Sequence, residues 1–184
     1  MSLTVSEIIS LLSVQGRAQY GMEAVSQLEH ALQCAFLAER ANETPDTIVA
    51  ALLHDLGHLL AAQKDGQVEH DTSRDDLHQY VALPFLRGVF SDAVLEPIRL
   101  HVDAKRYLCA VEPAYWPALS PASKHSLEQQ GGIYAADQAA AFLAQPYAEE
   151  AIRLRRYDDF AKVAELEVPD LAYFEPYLNQ VALN

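Results

Sequence analysis

A His-Asp dipeptide embedded in an apolar run constrains this chain more than any other feature. Residues 50–58 read Ala50-Ala51-Leu52-Leu53-His54-Asp55-Leu56-Gly57-His58. A helix of that composition packs inside a fold and carries two adjacent ionisable groups inward with it. Buried without partners, those groups lose their hydrogen bonds and charge solvation, at a cost of several kcal/mol. The fold must therefore bring partners to this point from elsewhere in the chain. A metal ion is one partner that satisfies both groups at once. Further ligand types are spread along the sequence: His30 upstream, then His78, His101 and Asp158 downstream.

The rest of the pattern is helical almost throughout, with no convincing alternating strand. Val5 to Val14 reads as a first helix ending near Gly16, and a second runs from about Glu23 to Ala41. Thr44 as N-cap and Pro45 at the first helical position open a helix to about Ala62. Gln63 to Ser73 is polar and reads as a loop. Helices follow over about Asp75 to Gly88 and Asp92 to Val102, with Pro84 and Pro97 expected to kink or break them. Leu108 to Pro121 holds three prolines with Tyr115 and Trp116, and reads as irregular and aromatic-rich. Ser123 to Gln130 is a short helix stopped by Gly131-Gly132. Ala135 to Ala144 is another, Pro146 opens a long helix to about Glu165, and Pro169-Asp170 opens the last. The expectation is one all-α domain, a helical bundle over residues 1–184 with its metal-binding core at about 20–165.

The formal net charge of −13 argues against nucleic acid and against docking to an anionic membrane. No run approaches the roughly 18 apolar residues of a bilayer span. Met1 to Glu7 lacks the positive flank of a signal peptide, and Cys34 and Cys109 make no disulfide framework. A cytoplasmic location is expected. In so acidic a chain the scarce cations are informative. Several gather at Arg99 to Arg106 and at Arg153 to Asp158, each segment containing one of the proposed ligands.

His54 and Asp55 point about 100° apart on a helix, so one ion is not easily chelated by both. Two ions are, if Asp55 bridges them and each takes histidines from other helices. Four imidazoles and two carboxylates suit iron, manganese or zinc. Singly, His30, His78 or His101 is more commonly a hydrogen-bonded core or surface residue; the joint pattern is what points to metal. His70-Asp71 lies in a polar stretch and, like His125, reads as solvated. His54 and His58 share a helical face, but the glutamate of a zinc-protease motif is absent.

The set His30, His54-Asp55 and Asp158 resembles the His…His-Asp…Asp signature of the HD-domain superfamily. With His78 and His101 it resembles the two-metal subset, and within that the mixed-valent diiron oxygenases that cleave phosphonates, with the myo-inositol oxygenases more distant. Tyr20-Gly21-Met22-Glu23-Ala24-Val25-Ser26-Gln27-Leu28-Glu29-His30-Ala31 carries the likeness most distinctively. Leu52 to His58, Leu119 to Gly132 and Arg155 to Lys162 support it, so it spans about Tyr20 to Lys162.

The resemblance implies one ferric and one ferrous iron, held by His30, His54, Asp55, His78, His101 and Asp158 with Asp55 bridging, and dioxygen as co-substrate. It implies a small organophosphonate as substrate, 2-amino-1-hydroxyethylphosphonate or an N-methylated analogue, cleaved to glycine or its analogue and phosphate. Asp55, His58 and Lys105 would be catalytic. His58, Lys105, Arg155, Ser123 and Ser126 would hold the phosphonate, and Tyr20 and Glu23 the ammonium. A dinuclear HD phosphohydrolase and a non-catalytic sensor are the competing readings, while the oligomeric state stays open.

Overall fold

The computed structural model describes residues 2–65 and 77–183, and among them the secondary structure is helical, with only isolated bridges of extended backbone. The helices are α1 (Val5–Gln15), α2 (Gln27–Arg40), α3 (Pro45–Leu53), α4 (Leu56–Asp65), α5 (His78–Val81), α6 (Leu83–Leu86), α7 (Asp92–Val111), α8 (Tyr115–Ala118), α9 (Pro121–Gln129), α10 (Ala136–Leu143), α11 (Ala148–Phe160) and α12 (Leu171–Val181). None of them is long and apolar enough to cross a membrane. The expected His70-Asp71 loop lies outside the described residues, as does the start of the Asp75 helix.

Local chemistry accounts for most boundaries. Thr4 with Glu7 and Ser26 with Glu29 form reciprocal capping boxes at α1 and α2. Thr44, Ser120 and Asp170 cap α3, α9 and α12 through side-chain oxygens. At the end of α9, Gly132 N–H reaches Leu127 O at 2.9 Å, with Gly131 at φ +96°, the left-handed stop that the double glycine foretold.

Several expected spans are corrected. The second helix starts at Gln27, because Ser26 is its cap; residues 17–26 instead form a turn in which Tyr20 N–H bonds Val25 O and Glu23 N–H bonds Tyr20 O. The helix expected from Thr44 to Ala62 is two helices, broken at His54-Asp55, and the second persists to Asp65. The helix before Gly88 is likewise divided, with Pro84 in the first turn of α6. Pro97 does not stop α7, which runs on to Val111 through the start of the stretch expected to be irregular. The late helix spans only Ala148–Phe160, and the carbonyl of its C-cap Ala161 is taken by His30 of α2.

The core is centred on α3, where Val49, Ala50, Ala51 and Leu53 are fully buried. It packs against α2, α7, α11 and α12. Two satellite clusters extend it: Leu100, Ala104, Phe142, Ala148 and Ala151 between α7, α10 and α11, and Leu108, Tyr115 and Leu119 beneath α8. The last turn of α3 thus delivers His54 and Asp55 to the middle of four packed helices.

Candidate metal centre

Three of the imidazoles are aimed by backbone partners. His30 Nδ1 donates to Ala161 O at 2.8 Å, His54 Nδ1 to Ala51 O at 2.9 Å and His101 Nδ1 to Ile98 O at 2.7 Å. A carbonyl only accepts, so the Nδ1 proton is assigned in all three, and in the neutral rings Nε2 is bare. Those Nε2 atoms converge. His30 and His54 stand 3.3 Å apart, and His78 and His101 3.1 Å.

Asp55 lies between the two pairs and divides its oxygens. Oδ2 is 3.3 Å from His54 Nε2 and 3.6 Å from His30 Nε2. Oδ1 is 3.3 Å from His78 Nε2 and 3.6 Å from His101 Nε2. Asp158, on α11, joins the first pair at 3.4 Å from His30, and its buried Oδ1 has no hydrogen-bond partner among the described residues. The break between α3 and α4 makes this possible. Gly57 follows it directly, and a Cβ there would stand 2.0 Å from the His78 carbonyl oxygen, so only glycine lets α4 meet the His78 backbone.

The donor set fits metal. Two nitrogens bound to one ion at about 2.1 Å stand roughly 3.0–3.4 Å apart, which is how both imidazole pairs are spaced. The charges follow suit: burial pushes the Asp55 carboxyl up, but His54, His58 and His78 outweigh it and hold it well below the usual carboxylate range. Burial resists charging His54, yet Asp55 and Asp158 raise it to about 9. His101, buried beside His54 and His78, is held well below its ordinary value.

Around this centre stand the other residues singled out from sequence. The Tyr20 ring stacks on His30 at 4.0 Å, and its hydroxyl donates to Asp55 Oδ2 at 2.6 Å, so it meets the central carboxylate directly. The His58 ring stacks on His78 at 4.0 Å. Arg155 donates to Asp158 Oδ2 at 2.7 Å and to Ser123 Oγ at 3.4 Å. Lys105, 2% exposed, donates to Ser126 Oγ at 2.8 Å, and Ser126 Oγ to Ser123 O at 3.1 Å. Glu23 accepts from Ser120 Oγ at 2.7 Å. A lobe of cations and hydroxyls therefore adjoins the histidine-carboxylate cluster, joined to it through Asp158. His125 is apart, on an exposed face of α9 beside Gln129.

Two residues here escaped the sequence reading. Lys162 lies 3.6 Å from Asp158 Oδ1, 3.8 Å from Glu23 Oε1 and 3.3 Å from Ser123 Oγ. Its four-residue offset from Asp158 was a usable signal. Cys34, one turn after His30, puts its Sγ 3.7 Å from His30 Nε2, within a possible ligand group with His30 and His54. A buried thiol thus stands beside the centre. Burial, with Asp158 and Asp55 near, pushes that thiol well above its ordinary pKa.

The comparisons agree with this geometry. The HD domain family pattern matches residues 28–161. The chain is 46% identical over 167 residues to a hydroxymethylphosphonate dioxygenase of Gimesia maris, covering 91% of this chain and 82% of that protein. It is 37% identical over 167 residues to the 1-hydroxy-2-(trimethylamino)ethylphosphonate dioxygenase (glycine-betaine-forming) of Leisingera caerulea, covering 91% and 84%.

Proposed function

The chain belongs to the HD-domain family, and from that premise we propose that it is an oxygenase of 1-hydroxyalkylphosphonates. It uses dioxygen to cleave the carbon–phosphorus bond, giving a carboxylate and inorganic phosphate. One observation carries the reading: Asp55 splits its oxygens between two inward-facing histidine pairs, and a cationic, hydroxyl-lined lobe opens from the same cluster through Asp158.

His30, His54 and Asp158 would hold one iron, His78 and His101 the other, with Asp55 shared. The iron pair, when bound, supplies the dioxygen and one-electron chemistry that side chains lack. The protein groups bind and orient. Lys105 and the Arg155 fork neutralise the phosphonate dianion, and Ser123 and Ser126 add hydroxyls to it. His58, held face-on to His78, would be one of the groups that meet the substrate. The hydroxyl of Tyr20 keeps Asp55 oriented in the resting site. The balance closes without another reductant: a hydroxyalkylphosphonate and one dioxygen contain the atoms of one carboxylic acid and one phosphoric acid.

On the finer question of substrate, Glu23 and the Tyr20 face are an apt pair for an ammonium, so 2-amino-1-hydroxyethylphosphonate yielding glycine is the favoured substrate, with an N-methylated form as its variant. Oxygen uptake coupled to phosphate release from 2-amino-1-hydroxyethylphosphonate and from hydroxymethylphosphonate tests both levels. Iron-dependent turnover with a mixed-valent paramagnetic signal is expected. Brisk anaerobic phosphate release from ordinary phosphate esters would overturn the oxygenase in favour of a hydrolase. Glu23→Ala is expected to raise KM for the aminated substrate far more than for the nitrogen-free one; equal effects would remove the ammonium assignment.

A further inference from the structure

Tyr115 stands in the proline-rich segment that carries none of the proposed chemistry, yet it is 8% exposed where its neighbour Trp116 is 45% exposed. Its ring is anchored on Leu108 and Leu119. Its hydroxyl accepts from Arg155 Nε at 3.2 Å and donates to Asp159 Oδ2, while Asp159 Oδ1 accepts from Arg155 Nη2. The three side chains close a ring of hydrogen bonds.

The ring resolves an ambiguity built into α11. Arg155 has carboxylates three and four residues ahead of it, Asp158 and Asp159, and helical spacing lets a guanidinium pair with either. A guanidinium swinging between them would present no fixed edge to an anion. The Tyr115 hydroxyl takes Nε and holds Asp159 against one Nη2 hydrogen, which leaves Nη1 for Asp158 and the second Nη2 hydrogen for Ser123. We infer that Tyr115 is a positioning residue for the anion lobe, fixing the Arg155 guanidinium through Asp159 so that Nη1 serves Asp158 and the Nη2 hydrogen that faces Ser123 serves the substrate phosphonate. The inference rests on the proposed role of Arg155 in holding a phosphonate. It also makes the segment around α8 a fixed wall of the site.

Tyr115→Phe removes one oxygen and keeps the apolar anchor. Steady-state kinetics of the iron-loaded full chain should show KM for hydroxymethylphosphonate and the inhibition constant of inorganic phosphate both raised about tenfold, with kcat within about twofold, because a hydrogen bond to a charged group is lost without touching the iron ligands. Iron content should stay near that of the parent, Tm should fall only by what the lost hydrogen bonds account for, and Trp116→Phe should move neither constant. In an Arg155→Lys background the Tyr115→Phe effect should vanish, since lysine has no fork to orient. Unchanged KM and inhibition constant, a loss confined to kcat, or additive effects in the double variant would each overturn the inference. If Tyr115→Phe does not fold, Tyr115→Met carries the same test. A parent protein that releases no phosphate from any 1-hydroxyalkylphosphonate would instead overturn the functional reading itself.

Discussion

Lys105 shows what a single side chain contributes once it is buried. It is 2% exposed on α7, one turn beyond His101, with Ser126 as its hydrogen-bond partner. Burial and the neighbouring Arg155 guanidinium pull it down from 10.5 to about 7. The folded protein therefore refuses a proton that the unfolded chain holds between those values, so this group makes stability rise with pH across that window. A phosphonate dianion held at Lys105, as proposed, would reverse the balance, because its charge restores the ammonium. At about pH 8.5, where the free phosphonate is already a dianion, binding is expected to draw close to one proton from solution. Calorimetric titration in two buffers of different ionisation enthalpy measures this, and Lys105→Met should abolish it. Binding with no proton uptake in the parent would show Lys105 to be charged already. Lys105 was legible as a candidate because it sits one helical turn from His101, a proposed ligand, and Arg155 because it precedes Asp158 by three. Tyr115 was not, since its partners lie 40 and 44 residues away and only tertiary packing joins them.

At the scale of the elements, the ends of α3 and α11 aim several of the proposed ligands. The His-Asp dipeptide had to lie at an interruption: its two side chains diverge on a continuous helix, whereas the break between α3 and α4 gives Asp55 two flanks. The sequence carried the cap of α3 plainly, but not the break, because Leu56, Leu59 and Leu60 continue the same apolar pattern. The end of α11 is the counterpart. Ala161, its C-cap, offers an unused carbonyl to His30 Nδ1. Gln33 then clamps the chain just beyond, donating to Val163 O at 2.8 Å and accepting from Val163 N–H at 3.1 Å. Nothing in the local sequence marks that clamp, which spans 130 residues. Gln33→Ala is expected to cost about 1–3 kcal/mol in urea unfolding, the worth of two hydrogen bonds. Because the acceptor of His30 loses its tether, metal should also pass faster to a chelator. An unchanged midpoint and release rate would mean that Ala161 is held by α11 alone.

For the molecule as a whole, the helical period and capping signals made the all-α bundle legible, but the pairing of histidines across Asp55 depends on how four helices cross. That crossing, with Asp158 from α11, places four imidazoles and two carboxylates in one buried cluster, so metal bound there would be coupled to folding. The protons of the metal-free protein set the pH dependence. His54 is buried, which disfavours its charge, but Asp55 and Asp158 raise it from 6.5 to about 9. Its contribution is complete below about 6.5 and is lost as pH rises through about 9. His101 runs the other way. Burial and the charges of His54 and His78 hold it well below 6.5, so acid below that value favours the unfolded chain. Bound cations need the bare Nε2 atoms and displace the His54 proton, so the metal-loaded form gains as the metal-free form weakens. The drop in Tm on chelation is therefore expected to be larger near pH 9 than near pH 6.5. Thermal scans with and without chelator at the two values measure it. A drop of equal size at both would mean that His54 carries no proton for the metal to displace, and the facing imidazoles would then owe their spacing to packing alone.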